Sequence, residues 1–294
     1  MPTKVVFIAS LEHSGSTLLD LILGGHPQLT GLGEIFLLLK PESRRLANWQ
    51  TEQCSCGQTM DQCFFWRPIC LRLLEAQTLS LAEKYRLVLD AFHQTFGDEH
   101  LLVDSSKTLQ ALQVLHAIPD VDLKVLYLIR DVRSWVVSLR DVRKRQSAFS
   151  LRDLVRRYGV RAGWYYLQRT AFFFTLRWYY SNRKLQRYVQ RLPVPTFQLG
   201  YEELSLYPEK MVQQISRFLG VEMTDTMLTL QNSDSHNIIG NRMRLQPEKR
   251  ARVFYDNRWF YRNDWVLPTF LSPYVMRYNT REVYRNLHNF LWNQ

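Results

Sequence analysis

Val5-Val6-Phe7-Ile8-Ala9-Ser10-Leu11-Glu12-His13-Ser14-Gly15-Ser16-Thr17-Leu18-Leu19-Asp20-Leu21-Ile22-Leu23 carries three local signals in succession. Val5 to Ala9 is a short apolar run without polar alternation, the pattern of a strand covered on both faces. Ser10 to Thr17 is a polar turn, and Leu18 to Leu23 is an apolar helix that closes at Gly24-Gly25 before His26-Pro27. Backbone N–H groups at a helix start are unpaired, the helix dipole adds positive potential, and the Ser and Thr hydroxyls add donors. The turn is therefore built to hold a phosphate-like anion.

Outward from this unit, short apolar runs recur at Leu101–Val103, Val125–Ile129 and Thr196–Leu199, with longer helix-like patterns between them. Strands that are apolar on both faces, joined by connections long enough for crossovers, predict an α/β fold: a parallel sheet flanked by helices. Ligands of such sheets sit at the carboxyl ends of the strands. With 294 residues, 46% of them hydrophobic and 22% charged, the chain can build one large core, and a single domain over 1–294 is expected. The same proportions, free of short repeats, exclude disordered, collagen-like and solenoid chains.

The net charge of +11 is local. Between Val142 and Arg191 lie 13 basic residues and one acid, Asp153, interleaved with Trp164, Tyr165, Tyr166, Phe172, Phe173, Phe174, Trp178, Tyr179 and Tyr180. Three readings stand: amphipathic helices with an aromatic core stripe and a solvated basic face, a lid over an acceptor, or a surface drawing in an anionic ligand or membrane. No helix-turn-helix, RNP or zinc-finger signature accompanies the segment, so a nucleic-acid partner is not expected. Val5–Ala9 is too brief for a signal sequence, and the apolar stretch Ala171 to Tyr180 is interrupted by Arg177, so a cytoplasmic chain without a transmembrane segment is expected.

An ATP or GTP site is the first candidate for the anion turn. Laid on G-x-x-x-x-G-K-[ST], Gly15 and Thr17 match, but Ser16 replaces the lysine and Ser10 the first glycine. Without that lysine the β- and γ-phosphates lose their main charge partner, which weakens a phosphotransferase reading.

The residues instead resemble the sulfotransferases that use 3′-phosphoadenosine 5′-phosphosulfate (PAPS). Ser14-Gly15-Ser16-Thr17-Leu18 is similar to their 5′-phosphosulfate loop. Leu128-Ile129-Arg130-Asp131-Val132-Arg133-Ser134-Trp135-Val136-Val137-Ser138 resembles their 3′-phosphate segment, with Arg130 at a strand end and Ser138 on the next helix. Val103-Asp104-Ser105-Ser106-Lys107 ends a strand where many members place a lysine beside the transferred group. Gly200-Tyr201-Glu202-Glu203-Leu204 resembles the segment whose tyrosine lies against adenine. Ile239-Gly240-Asn241-Arg242-Met243-Arg244 resembles the late loop that closes over the 3′-phosphate. The resemblance runs from residue 5 to about 265. It implies a P-loop nucleotide-kinase-like fold, PAPS as donor, 3′,5′-ADP as product, an acceptor substrate and no required metal. Ser14, Gly15, Ser16, Thr17, Leu18, Arg130, Ser138, Tyr201, Gly240, Asn241, Arg242 and Arg244 are the donor-binding candidates it implies.

Two departures bear on mechanism. His13 stands where the family usually has Lys or Arg before Ser-Gly, and its charge depends on pH. Lys107-Thr108 is followed by Leu109, where the cytosolic small-molecule branch has its histidine base. Gly31-Leu32-Gly33-Glu34-Ile35, after His26-Pro27, is similar to the His-Pro…Gly-Glu segment of protein-tyrosine and some carbohydrate sulfotransferases, where the glutamate takes the acceptor's proton. Glu34, His13 and Lys107 are therefore the catalytic candidates, with Asp104 orienting Lys107 or its loop. A small-molecule hydroxyl is the favoured acceptor, and an amine is second. A phosphotransferase on the same scaffold and a non-catalytic RNA- or membrane-binding protein are the competing readings.

Cys54, Cys56, Cys63 and Cys70 form a C-x-C-x₆-C-x₆-C pattern in an insert at about 50–72. Zinc knuckles more often carry C-x₂-C pairs, and no histidine is near in sequence. Reduced thiols around Phe64, Phe65 and Trp66 are expected, and no metal.

Overall fold

β1, Thr3–Ser10, is the central strand of a five-stranded parallel sheet of order β2-β3-β1-β4-β5. The others are β2 (Leu29–Gly33), β3 (Leu101–Lys107), β4 (Val121–Ile129) and β5 (Thr196–Gly200). The computed structural model describes residues 2–41, 43–76, 78–146, 170–230, 235–246 and 253–287, with isolated positions 156, 159 and 167; the side chains of residues 144–146 and 242 are excepted.

Alternation along β1 fills two cores, because successive side chains leave a strand on opposite faces. Val5, Phe7 and Ala9 pack with Phe36, Tyr85, Leu112, Trp135 and Trp178, whereas Val6 and Ile8 pack with Leu19, Ile22, Leu199, Met211 and Ile215. The first face is covered by α2 (Ile35–Leu39), α3 (Arg44–Ala47), α4 (Trp66–Glu75), α5 (Leu81–Phe96), α6 (Leu109–His116), α7 (Val132–Gln146) and α8 (Ala171–Val189). The second is covered by α1 (Ser16–Leu23), α9 (Tyr201–Leu206), α10 (Pro208–Leu219) and α11 (Thr226–Thr229). Further on, α12 (Val266–Phe270) and α13 (Pro273–Val283) follow.

The sheet order places a switch point at β1: the chain leaves it for β2 and β3 on one side and for β4 and β5 on the other. Ligands of such sheets bind at this switch point, at the carboxyl ends of the strands, and the polar turn after Ser10 lies there. The edge strand β2 was not legible as a strand, because Thr30, Gly31 and Gly33 break its apolar run. Those small residues answer a close approach. A Cβ on Gly31 would lie 2.0 Å from Asp20 Oδ1, and one on Gly33 would lie 2.8 Å from the Ile239 carbonyl oxygen.

Of the basic aromatic segment, α8 and the two residues after it bury aromatic side chains and expose basic ones. Phe174 and Trp178 are buried while Lys184, Arg187 and Arg191 are exposed. Trp164, Tyr165 and Tyr166 lie outside the described residues. Among the described residues no helix is long and apolar enough to cross a membrane.

Candidate active site

Beyond Ser10 the chain turns with two left-handed residues, His13 (φ 62°) and Gly15 (φ 95°). Gly15 is the N-cap of α1 and carries no side-chain cap, so the first amides of the helix are left for an incoming anion. A Cβ at Gly15 would come 2.4 Å from Cδ2 of Tyr201, so the loop and that ring fill each other's space. Across the loop, the Asn241 amide donates to Thr17 Oγ1 at 3.3 Å, and a Cβ on Gly240 would lie 3.3 Å from the same oxygen. Ser14 to Leu18, Gly240 and Asn241 thus meet at one helix N-terminus.

Beside it, Glu34 ends the β2 turn as the N-cap of α2, and Lys107 ends β3 in a left-handed conformation (φ 66°). Lys107 Nζ donates to Glu34 Oε1 at 2.6 Å, and both side chains are largely buried. A buried chain of hydrogen bonds holds this pair in register. Tyr85 Oη donates to Asp104 Oδ2 at 2.9 Å, Ser106 N donates to Asp104 Oδ1 at 2.8 Å, and Phe36 N donates to Ser106 Oγ at 2.9 Å. Burial pushes the Asp104 carboxyl up to about 7, against the hydrogen bonds it accepts. Asp104 is therefore a positioning residue that ties β3 to the start of α2. His13 is lowered from the ordinary imidazole value, first by burial and then by the charges of Lys107 and Arg130, against the opposing pull of Glu12. At neutral pH it offers a neutral ring.

Three hydrogen bonds hold Arg130 at the end of β4. Nε donates to Ser134 Oγ at 2.7 Å, Nη1 to the His13 carbonyl at 2.8 Å and Nη2 to Asp256 Oδ2 at 2.7 Å. Its guanidinium lies 4.5 Å from the centre of the Tyr201 ring. Tyr201, only 5% exposed, packs against Arg130 and the loop. Ser138 lies one turn beyond Ser134 on α7 and is buried. Asp256 is held from the other side by Arg258, whose Nε and Nη2 each donate at 2.7 Å. Burial would raise its carboxyl, but the two arginines outweigh it and hold Asp256 well below the usual range.

Arg244 departs from the sequence expectation. It is buried against the cysteine insert, with Nη1 donating to the carbonyls of Gln53 at 2.8 Å and Asn237 at 3.1 Å. The side chain of Arg242 lies outside the described residues. Cys54, Cys56 and Cys63 converge with His236, whereas Cys70 is buried apart from that group in α4. Asp20, Ser134, His236 and Asp256 were not singled out from sequence. For Ser134 the spacing of four from Arg130 was an available signal; Asp256 and His236 reach their partners across 126 and 173 residues and offered none.

The sequence profile of the sulfotransferase family matches residues 5–225. No curated protein matches the chain in sequence. Among solved structures, the chain is similar to a sulfotransferase domain from the curacin biosynthetic pathway, at TM-score 0.54 and 21% identity over 92% of this chain and 90% of that one. It is also similar to a sulfotransferase domain from the olefin synthase of Synechococcus PCC 7002, at TM-score 0.53 and 19% identity over 92% of this chain and 94% of that one. At these identities the likeness is one of fold.

Proposed function

The chain belongs to the sulfotransferase family, and on that premise we propose that it moves a sulfuryl group from PAPS to an acceptor hydroxyl, with Glu34 as the base. The observation that carries this reading is the 2.6 Å Glu34–Lys107 pair beside an uncapped helix N-terminus. A proton acceptor and a cation there flank the place where an anionic donor would sit.

The donor set fits the donor. Free amides at Ser14 to Leu18 with the Thr17 hydroxyl suit a 5′-phosphosulfate, and the cradle at Gly15 and Gly240 admits no Cβ without crowding. Arg130 and Ser138 would hold the 3′-phosphate, with Tyr201 acting through Arg130, and Gly240 and Asn241 would close over the anion loop at Thr17. The donor supplies an activated sulfuryl group and a stable leaving group, 3′,5′-ADP. Lys107 and the neutral His13 ring would place donors at the oxygens that gain charge as the bond to sulfur breaks. Once Lys107 turns from Glu34 toward the donor, the carboxylate is released to take the acceptor's proton. These side chains can supply the charge stabilisation by themselves, so the reading includes no catalytic metal. A small-molecule hydroxyl is the acceptor class we assign.

Glu34→Gln tests the assignment, because it keeps shape and hydrogen-bonding reach but accepts no proton. It should lower kcat by roughly 10²–10⁴-fold and leave 3′,5′-ADP affinity nearly unchanged. Near-normal kcat with the preferred acceptor would sink Glu34 as base. Thermal shifts with 3′,5′-ADP, with ATP plus magnesium and with oligonucleotides test the donor class, and a preference for ATP would replace sulfotransfer from PAPS by phosphotransfer.

A further inference from the structure

The cysteine insert is built as a presenting loop. Gln53 and Thr59 pair in an antiparallel bridge, Cys54 N donates to the Gln58 carbonyl at 2.8 Å, and Gly57 N donates to the Cys54 carbonyl at 3.1 Å. Gly57 takes the left-handed corner (φ 90°), so Cys54 and Cys56 ride on one tight hairpin. Cys63 follows on the turn leading into α4, its amide donating to the Thr59 carbonyl at 2.8 Å.

The fourth group comes from the other end of the chain. Residues 235–239 run along the outer edge of β2, with His236 N donating to the Gly31 carbonyl at 2.7 Å. The His236 ring is buried and packed by Phe64 at 4.7 Å and Phe65 at 5.8 Å, which fixes its plane. Its Nδ1 points at two thiols, 3.3 Å from Cys63 Sγ and 3.7 Å from Cys54 Sγ. The two sulfurs are 3.8 Å apart, and the ligand atoms of Cys54, Cys56, Cys63 and His236 all lie within 4.8 Å of one another.

These separations can be compared with coordination geometry. Zinc–sulfur bonds of about 2.3 Å and zinc–nitrogen bonds of about 2.0–2.1 Å at tetrahedral angles set sulfur–sulfur edges near 3.8 Å and sulfur–nitrogen edges near 3.5 Å. A disulfide needs its sulfurs at about 2.05 Å, far inside the 3.8 Å between Cys54 and Cys63. We infer that Cys54, Cys56, Cys63 and His236 form a closed tetrahedral Cys₃His site for a zinc ion. Each thiol releases its proton to solvent as the metal binds. Exposed Cys56 gives the ion a way in, and three buried ligands complete the shell.

The position of the site gives it a role. Ser55 N donates to the Asn237 carbonyl at 2.9 Å, Ser55 Oγ to the Ser235 carbonyl at 2.6 Å, and Trp66 Nε1 to the His236 carbonyl at 2.6 Å. Four residues past His236 comes Gly240, then Asn241 on Thr17. A metal at His236 clamps this strap between the insert and β2. It thereby sets how the strap closes over the anion loop.

Metal analysis of desalted full-length protein tests the site without reference to sulfotransfer. About one zinc per chain is expected, retained in Cys70→Ala and lost in Cys56→Ser and His236→Ala. His236→Cys should retain it, because a thiolate can replace the imidazole. Cobalt loaded in place of zinc should give visible bands of a tetrahedral thiolate site. Stripping with a chelator should speed amide exchange at 235–241 while the amides of β1 and β4 stay protected. Protein without stoichiometric metal, whether its cysteines titrate as free thiols or Cys54 and Cys63 form a disulfide, would overturn the inference. So would full zinc retention in both Cys63→Ser and His236→Ala.

Discussion

The two ends of the proposed donor site are prepared in opposite ways. At the α1 end, the amides after Gly15 have no side-chain cap and stand ready for an anion. At the Arg130 end, the guanidinium already donates to Ser134, the His13 carbonyl and Asp256 and lies against the Tyr201 ring. The first site is open and rigid; the second is occupied by an anion of the protein itself. For the proposed donor, the difference predicts that the 5′ group docks by addition, whereas a 3′-phosphate at Arg130 competes with the Asp256 carboxylate. Such competition would cost part of the phosphate's binding energy.

Gly15→Ala should break both ends together, and it carries the largest expected effect. A side chain there adds left-handed strain and drives a Cβ into the Tyr201 ring that supports Arg130. A loss of roughly 3 kcal/mol in binding both 5′-AMP and 3′,5′-ADP is expected by calorimetry, with a lowered Tm. Unchanged affinity for both would show that the two ends are not joined through Gly15.

Arg130→Ala isolates the second end. It should weaken 3′,5′-ADP by roughly 1.5–3 kcal/mol relative to 5′-AMP, since the lost fork serves only the additional phosphate. Parallel losses for the two nucleotides would mean that the arginine holds some other group.

Asp256→Asn sharpens the competition. Removing the internal anion while keeping its shape should tighten 3′,5′-ADP by about 1 kcal/mol and leave 5′-AMP alone, at a small cost in stability because Arg258 keeps only its pair with Asp141. Weaker binding of 3′,5′-ADP would show Asp256 to be a partner of the ligand and not its competitor.

The smallest effect concerns His13. Its folded value lies below the ordinary 6.5, so the folded state binds fewer protons than the unfolded chain. The sign follows: His13 favours the folded state at high pH and loses that contribution as pH falls through the ordinary imidazole value. A bound phosphate ester raises the histidine again, so 3′,5′-ADP should bind with uptake of a fraction of a proton near pH 6. Calorimetry in two buffers of different ionisation enthalpy measures this, and His13→Gln should abolish it. An uptake that persists in the variant would belong to another group.

What could be read before folding is what short-range forces write. Val5 to Ala9, the polar turn and α1 are decided by neighbouring residues, since strand and helix hydrogen bonds, capping and left-handed turns act within a few positions. The same holds for Arg130 at a strand end and for Thr108, whose hydroxyl accepts from Ala111 N at 3.1 Å and caps α6 straight after Lys107. Glu34 was legible through the resemblance of its Gly-Glu segment, although the strand leading to it was not. Leu29 to Gly33 lost its strand signal because glycine was needed there for the close approach of Asp20 and the 237–239 strap.

Sequence by itself determined the α/β alternation, the anion-binding turn and most of the residue types gathered around it, because each depends on spacing along the chain. Tertiary structure alone decided which charges meet. Only the strand order and the return of the chain after α11 bring Asp256 to Arg130, Lys107 to Glu34 and His236 to the cysteines, and turn Arg244 inward. The physical reason is that a side chain's partner across the fold is chosen by backbone geometry that no local pattern encodes. Where a buried polar group must be satisfied, whichever group that geometry delivers becomes its partner.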